Sequence, residues 1–317
     1  MAKVTKALRW VAGAVFALLM CTSVNAALVM WGPSANGEEQ SIRVDGVRRD
    51  YLLHVPDDLP DGDVPLVLVL HGAYGWGDQI ARATDFSKKA DAEGFIVAYP
   101  EGRSDVPRLW QFWNTGYCCY GAMDAGYDDV GFLDALIDHL LATQPVDASR
   151  VYLAGFSNGG MLASDYAAQH TDKIAALAAV ASTIGGRADA FDGGERSIPV
   201  PSATLPVFEI HGERDGGVPF DGTPSHRVSA WSPFSVDEAV AFWRAANNNT
   251  ADPVETDWAG GNIQLTVWGE GTPGEVRRML VRDAGHSWPG GDGAPFFAKP
   301  TKDADATSLV WDFFAAH

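Results

Sequence analysis

The sequence predicts an α/β fold in which an N-terminal antiparallel hairpin precedes a doubly wound, mostly parallel sheet. Three observations support this prediction. Continuous apolar runs alternate with helical patterns, a segment of period two precedes them, and no internal repeat or Pro/Gly/Ser-rich linker divides the chain. Because such an alternation covers both faces of a parallel sheet with helices, we expect residues 27–317 to form one domain.

The hairpin comes first along the chain. Residues 41–44 and 51–55 alternate polar and apolar side chains, and the turn-forming pair Asp45-Gly46 lies between them. Apolar runs typical of strands buried on both faces follow at residues 65–70, 95–99, 151–154, 176–181, 207–210 and 279–281. Helical patterns lie between the strands, at about residues 81–92, 129–142, 158–169, 236–245 and 306–315.

The first 26 residues have the pattern of a secretory signal and are excluded from the fold. Lys3, Lys6 and Arg9 form a basic start, an apolar run covers residues 10–20, and small residues lead to Ala26. The run is shorter than the roughly 18 apolar residues of a membrane span. We therefore expect cleavage near Ala26 and a secreted or periplasmic protein without stable membrane association.

Charge and composition exclude several classes of partner. The 317 residues include 23 Lys or Arg and 41 Asp or Glu, which gives a net charge of -18. The basic residues form no run longer than a pair, so the sequence lacks the clustered positive charge that nucleic acid or an anionic membrane requires. Hydrophobic residues at 46% and charged residues at 20% are typical of a globular protein.

Cleavage of the predicted signal would remove Cys21, which leaves two adjacent cysteines, Cys118 and Cys119. In an oxidising compartment they are predicted to form a vicinal disulfide, with a pair of free thiols as the alternative. A zinc site would need a second pair of ligands at a workable spacing, which the sequence lacks. No metal is therefore predicted.

One motif points to nucleophilic catalysis. The G-x-S-x-G pattern Gly155-Phe-Ser157-Asn158-Gly159 lies between a buried strand and a helical pattern. A sharp turn between strand and helix exposes the serine hydroxyl, so Ser157 is the expected nucleophile, with a structural Gly-Ser turn as the alternative. The N–H of Asn158, at the start of the helix, is expected to stabilise an oxyanion.

A serine nucleophile needs a histidine base, and the chain order Ser, acid, His favours His286 among the eight histidines. His286 follows the last buried strand. His71 ends the first buried strand and is expected to shape its loop, in which Ala73 or Tyr74 supplies a second oxyanion N–H.

The carboxylate that orients the base is expected on the loop after strand 207–210. Asp215 is preferred to Glu213 and Asp221 because Gly216-Gly217 leaves room for a tight turn at the carboxyl edge of the sheet. Its predicted role is to fix the tautomer of His286 and to stabilise the imidazolium form.

Together, several motifs resemble the secreted polyhydroxybutyrate-depolymerase family of esterases, which includes feruloyl and acetyl-xylan esterases. The motifs are Leu70-His71-Gly72, Tyr99-Pro-Glu-Gly102, Trp113 with Cys118-Cys119, Asp128-Asp-Val-Gly-Phe132, Gly155-Phe-Ser-Asn-Gly-Gly-Met161, His211-Gly-Glu-Arg-Asp215 and Gly285-His-Ser-Trp-Pro-Gly290. The resemblance covers the chain from about residue 41 onward. It implies an α/β-hydrolase fold, a triad of Ser157, Asp215 and His286, and no cofactor.

Aromatic residues offer the substrate clue, because the chain has 11 tryptophans and several aromatics fall in loops at the predicted catalytic edge. These are Trp76, Trp110, Trp113, Tyr117, Tyr120 and Trp288. Trp113 and Trp288 are expected to contact substrate, since aromatic walls suit a ferulic ring, a sugar face or a polyester chain.

The sequence therefore predicts a secreted, monomeric serine carboxylic-ester hydrolase. Feruloylated or acetylated plant cell-wall polysaccharide is the preferred substrate, because the chain has no residues to spare for the extra binding module that polymer-active relatives often carry. Polyhydroxybutyrate is the alternative substrate. A serine peptidase and a non-catalytic secreted binding module are two further alternatives.

Overall fold

A ten-stranded sheet with helices on both faces forms the centre of the molecule. The computed structural model describes residues 36–104, 110–118, 126–189, 191, 194–227, 231–292 and 298–317. The predicted signal segment, residues 1–26, lies outside the described residues. Residues Asn36–His317 constitute one compact unit.

The strands of the large sheet are β1 (Glu38–Val44), β2 (Val47–His54), β3 (Val64–Leu70), β4 (Ile96–Pro100), β5 (Val146–Phe156), β6 (Ala176–Val180), β9 (Val207–Gly212), β11 (Pro253–Trp258), β12 (Ile263–Trp268) and β13 (Val276–Val281). A separate three-stranded sheet consists of β7 (Gly185–Arg187), β8 (Glu195–Ser197) and β10 (Ser232–Pro233).

The strand order of the large sheet is β1-β2-β4-β3-β5-β6-β9-β13-β12-β11. Six central strands, from β4 to β13 in that order, are parallel to one another. The two strands at each edge are antiparallel. The predicted hairpin and the mostly parallel sheet are confirmed. Strands β11 and β12 were not predicted, because β11 is exposed and largely polar and β12 interrupts its apolar residues with Gln264 and Thr266.

The helices are α1 (Gly77–Thr84), α2 (Phe86–Glu93), α3 (Asp129–Thr143), α4 (Asn158–Gln169), α5 (Val236–Ala246) and α6 (Ala306–Ala315). The helix predicted at 81–92 is in fact two helices. Asp85 adopts a left-handed conformation (φ 55°, ψ 24°) and its N–H caps α1 by donating to the carbonyl of Ala81. Aspartate tolerates this conformation better than most residues, which is why the chain can break there.

Strand β3 explains why the central strands are apolar throughout. Leu66, Leu68 and Leu70 belong to the core that α3, α4 and α5 cover, whereas Val67 and Val69 belong to the core that α1, α2 and α6 cover. Successive side chains of a strand point to opposite faces, so both faces must be apolar when helices cover both. The sheet is therefore doubly wound, as predicted.

The two edge strands differ from the centre in composition. Strand β1 begins with the exposed carboxylates Glu38 and Glu39. Strand β11 begins with Pro253 and carries the exposed carboxylates Glu255 and Asp257.

In the part of the chain that the structure describes, no helix has both the length and the apolar character needed to cross a membrane.

Candidate active site

Ser157 occupies the sharp turn between β5 and α4. Its backbone has φ 55° and ψ -124°, an uncommon conformation for a residue other than glycine. A serine at this position usually caps the helix with its hydroxyl, but the Ser157 side chain makes no such bond. The hydroxyl points away from the helix instead, as in the strand-turn-helix arrangement of a nucleophile elbow.

Close backbone contacts make the two flanking glycines necessary. A Cβ on Gly155 would lie 2.4 Å from the carbonyl oxygen of Gly159, and a Cβ on Gly159 would lie 2.5 Å from the carbonyl oxygen of Leu70. Real Cβ atoms do not approach backbone this closely, so a larger residue would force β3, β5 and α4 apart. The G-x-S-x-G spacing thus reflects the packing that presses Ser157 outward.

Three predicted site residues come together at the carboxyl edge of the sheet. The Nε2 atom of His286 lies 2.8 Å from Oγ of Ser157, and its Nδ1 atom lies 2.7 Å from Oδ2 of Asp215. His286 reaches this position on the loop after β13, and Asp215 on the loop after β9. All three side chains are buried. These contacts can carry a proton from the serine hydroxyl to the imidazole, with the carboxylate accepting the Nδ1–H.

Several donors surround the Asp215 carboxylate. Its Oδ1 atom accepts hydrogen bonds from the backbone N–H groups of Gly217 (2.7 Å) and Val218 (2.9 Å). Burial alone would raise the pKa of Asp215, but the charge of His286 and the hydrogen bonds from His211 and His286 lower this pKa well below its usual value. Asp215 is therefore an anion over the whole working range of pH.

The oxyanion loop after β3 runs directly beside the nucleophile. A Cβ on Gly72 would lie 2.9 Å from Cδ1 of Phe156 and 3.2 Å from Cβ of Ser157, so a glycine suits this close approach. The N–H of Tyr74 donates to the carbonyl of Gln111 over 2.8 Å, which contradicts its prediction as an oxyanion donor. Ala73 is the remaining candidate in this loop, and Asn158, the first residue of α4, is the candidate on the helix side.

Trp113 is wholly buried and braces the site rather than contacting substrate, so its prediction as a substrate contact is wrong. Its backbone N–H donates to the Asn158 side chain over 2.7 Å, and the Asn158 amide donates back to the Trp113 carbonyl over 3.2 Å. Its indole N–H donates to the carbonyl of His71 over 2.8 Å. One tryptophan therefore fixes both the start of α4 and the oxyanion loop.

His71 is held as a neutral imidazole. Its Nδ1–H donates to the carbonyl of Gly72 (2.8 Å), while Nε2 accepts from the N–H of Gly102 (3.0 Å). Burial lowers the pKa of His71 to about 4. This residue shapes the loop, as the sequence predicts, and cannot compete with His286 as a base.

Trp288 is likewise a core residue, which contradicts its predicted place on the cleft wall. It is 4% exposed, its ring packs edge-on against Phe86, and its indole N–H donates to Oγ1 of Thr307. The segment after His286 turns instead of continuing as a strand, so a separation of two residues does not give the same side-chain direction. Of the other predicted aromatics, Tyr117 is buried, Trp76 is half-buried, Trp110 is exposed and Tyr120 lies outside the described residues.

Cys118 takes part in a disulfide bond, and its predicted partner Cys119 lies outside the described residues. The vicinal pairing therefore stays a prediction. Within the described ranges, no group of three or more His, Cys, Asp or Glu side chains is arranged to hold a metal ion.

Strand β9 carries two buried polar residues, Glu209 and His211, below the Asp215 loop, and of these two sequence reasoning missed Glu209. The Nε2–H of His211 donates to the carbonyl of Val218 (2.8 Å) and lies 3.4 Å from Oδ2 of Asp215. Glu209, two residues earlier on the same face of the strand, is also buried, and burial raises its pKa to about 7. A carboxylate inside the apolar run Val207-Phe-Glu-Ile210 was the signal that could have identified it.

Glu209 should make stability depend on pH. Its pKa is raised from 4.5 to about 7 by burial, so its contribution to stability is fully present below pH 4.5 and is lost as the pH rises through 7. Relative to Glu209→Gln, which cannot ionise, the wild type should lose on the order of 3 kcal/mol of unfolding free energy across this window. Urea unfolding of both proteins at several pH values measures the difference.

Glu213→Gln is the matched control, since Glu213 lies on the adjoining loop with an exposed side chain. It removes the same charge from an exposed position, and its unfolding is measured at the same pH values. If the stability difference between Glu209→Gln and the wild type did not change between pH 4.5 and 7, Glu209 would not be a buried acid of raised pKa.

Comparison with known proteins identifies the family. The family model described as "Esterase PHB depolymerase" matches residues 49–211. NocK of Nocardia uniformis subsp. tsuyamanensis, a protein that carries an esterase name, is 33% identical over 272 residues, which cover 80% of this chain and 74% of NocK.

Two fungal relatives are longer than this chain. The bifunctional acetylxylan esterase/xylanase XynS20E of Neocallimastix patriciarum is 31% identical over 250 residues, covering 77% of this chain and 32% of that protein. Feruloyl esterase B of Piromyces equi is 30% identical over 188 residues, covering 59% of this chain and 32% of its own. The chain thus spans about a third of the length of each.

The fold has relatives among solved structures. The acetyl xylan esterase from Aspergillus awamori superposes with a TM-score of 0.60 at 15% sequence identity, covering 89% of this chain and all of that one. An identity this low supports the fold only, which is the α/β-hydrolase fold. The family match and the NocK alignment together show that the chain belongs to the esterase PHB depolymerase family of carboxylic ester hydrolases.

Proposed function

We propose that this chain is a secreted serine esterase that cleaves acetyl or feruloyl esters of plant cell-wall polysaccharide. The observation that carries the proposal is the line of contacts from Ser157 Oγ through His286 to Asp215, with separations of 2.8 Å and 2.7 Å. Both distances are those of hydrogen bonds between a nucleophile, its base and the carboxylate that orients the base.

In the proposed reaction, Ser157 Oγ attacks the carbonyl carbon of the ester while its proton passes to Nε2 of His286. The oxyanion that forms accepts hydrogen bonds from the N–H groups of Asn158 and Ala73. His286 then gives the proton to the departing alcohol oxygen, which leaves an acyl group on Ser157. Water, deprotonated by His286, then attacks the acyl carbonyl. His286 returns this proton to Oγ of Ser157 as the acid leaves.

The orientation of α4 supports this assignment. Asn158 is the first residue of α4, so its N–H has no acceptor four residues earlier within the helix, and the positive end of the helix dipole points toward the site. The Asn158 side chain is fixed by Trp113, so its backbone N–H is held in place before substrate arrives. Preorganised donors of this kind stabilise developing charge without a reorganisation cost.

The choice of substrate rests on the relatives, two of which carry the names acetylxylan esterase and feruloyl esterase. The secretory pattern of residues 1–26 supports export to the place where such substrates occur. The alternative, cleavage of a polyhydroxyalkanoate, is supported by the family description.

A panel of substrates tests the proposal. The purified protein should hydrolyse p-nitrophenyl acetate, and should release acetate from acetylated xylan or ferulate from feruloylated arabinoxylan faster than it solubilises polyhydroxybutyrate. A fluorophosphonate probe should label Ser157. Failure of the probe to attach, together with inactivity on every ester, would leave the non-catalytic binding module as the better description. Cleavage of peptide amides in preference to esters would point to the peptidase.

A further inference from the structure

Two aromatic side chains on the oxyanion side of the site are unusually exposed. Tyr74 is 58% exposed and Trp110 is 62% exposed, whereas most other large hydrophobic side chains in the described ranges are covered. Tyr74 lies two residues after Gly72, which contacts Ser157. Tyr74 therefore belongs to the loop that passes the proposed catalytic serine, and Trp110 adjoins Gln111, which pairs with this loop.

The backbone holds the two aromatic residues in an uncommon conformation. Tyr74 has φ 66° and Trp110 has φ 55°, both in the left-handed region. Bulky side chains rarely adopt this conformation because it brings Cβ close to the neighbouring backbone, and residues that do so concentrate at functional sites. Ser157, at the carboxyl edge of the sheet, also has a positive φ.

The segments that carry the two rings are joined to each other. The N–H of Tyr74 donates to the carbonyl of Gln111, the residue after Trp110, and Gly75 and Gln111 form an antiparallel bridge. The Tyr74 ring packs edge-on against Phe112, with 4.7 Å between ring centroids. The two segments thus support each other, and Phe112 supports the Tyr74 ring, which reduces the entropy lost when a ligand stacks there.

The chemistry of this surface favours a sugar ring as its occupant. Besides the two aromatics, the large hydrophobic side chains exposed in the described ranges are Val47, Val55, Val200 and Val254. These valines lie on other segments, so among the described residues the exposed side chains of the Tyr74 and Trp110 segments are flat rings and not the broad aliphatic patch that a polyester or lipid surface would need. The net charge of -18 disfavours a strongly anionic polymer.

We propose that Tyr74 and Trp110 form a stacking platform for a neutral polysaccharide chain, the alcohol side of the ester, next to the proposed oxyanion loop. Each ring would cover the CH face of one sugar while the sugar hydroxyls stay in water. The ester carbonyl would then reach Ser157 from a polysaccharide chain that already lies along the two rings. This inference rests on the proposed function and names the substrate class that the same site takes.

The test compares one small and one extended substrate. Tyr74→Ala and Trp110→Ala should each raise KM for acetylated xylohexaose between about threefold and tenfold, the range expected for losing one aromatic contact. The loss on p-nitrophenyl acetate, which is too small to span the platform, should be clearly smaller. Tyr74→Phe and Trp110→Phe, which keep an aromatic ring, should recover most of the affinity. Val200→Ala, an exposed hydrophobic replacement on another segment, should change neither substrate.

A binding measurement separates the platform from the chemistry. Ser157→Ala should bind unesterified xylohexaose in calorimetry, and adding Trp110→Ala should weaken this binding severalfold. Absence of xylohexaose binding, or equal losses on both ester substrates, would overturn the platform. If the alanine variants instead impaired only oligomers of 3-hydroxybutyrate, the occupant would be a polyester and the sugar assignment would be wrong. An unlabelled Ser157 and an inactive wild type would refute the proposed function itself, which is a different outcome.

Discussion

Replacing Ser157 by alanine is expected to lower kcat for p-nitrophenyl acetate and methyl ferulate by about 10⁴-fold or more. The variant loses the atom that attacks the ester, while its main-chain oxyanion donors and the His286–Asp215 pair remain. Some activity above the uncatalysed rate should therefore survive. Steady-state kinetics measures the loss, and circular dichroism verifies that the variant is folded.

Ser164→Ala provides a matched control for this substitution. Ser164 is a buried serine of α4, the helix that begins directly after Ser157. Its hydroxyl has no hydrogen-bond partner among the residues that the structure describes. Removing that hydroxyl should leave kcat and KM unchanged. Wild-type turnover by a folded Ser157→Ala protein would refute the mechanism.

The second large effect is expected for Asp215→Asn, which should reduce kcat by about 10⁴-fold with a much smaller change in KM. The new amide oxygen can still accept from the N–H groups of Gly217 and Val218, so the loop should keep its shape. The amide NH₂ group then faces Nδ1 of His286 in place of Oδ2. Because two donors cannot pair, the imidazole should carry its proton on Nε2 and lose the ability to accept one from Ser157.

Asp221→Asn tests whether the loss is specific. Asp221 lies on the same loop, is exposed, and accepts hydrogen bonds from Thr223. The same charge change there should leave kcat within about twofold of the wild type, as for most surface substitutions. Equal activity of Asp215→Asn and Asp221→Asn would show that Asp215 does not orient the base.

The parts of this fold that follow local rules were predictable. Helix α4 was predicted with its observed bounds because its apolar spacing and the G-x-S-x-G turn agree with each other. Most of the central strands were evident because helices on both faces favour apolar residues on both sides of a strand. Ser157, Asp215 and His286 were predicted together by their positions after the parallel strands β5, β9 and β13, since the carboxyl ends of parallel strands meet at one edge.

Side-chain direction in loops was not predictable, because it depends on contacts between distant segments. Trp113 and Trp288 seemed suited to a cleft wall, but each donates its indole N–H inward, to His71 and Thr307 respectively. Tyr74 was predicted for its N–H, yet the pairing of its segment with Gln111 uses that N–H and turns the ring outward. The direction of such side chains is set by tertiary hydrogen bonds, which the periodicity of a sequence does not reveal.

The composition of the two edge strands has a consequence for the concentrated protein. An open sheet exposes unpaired N–H and C=O groups at its edges, and a second molecule could add to them in a growing fibrillar ladder. The carboxylates of β1 and β11 would oppose one another in such a ladder, and Pro253 withholds a donor from it. We therefore expect the charge on these two edge strands to oppose edge-to-edge association.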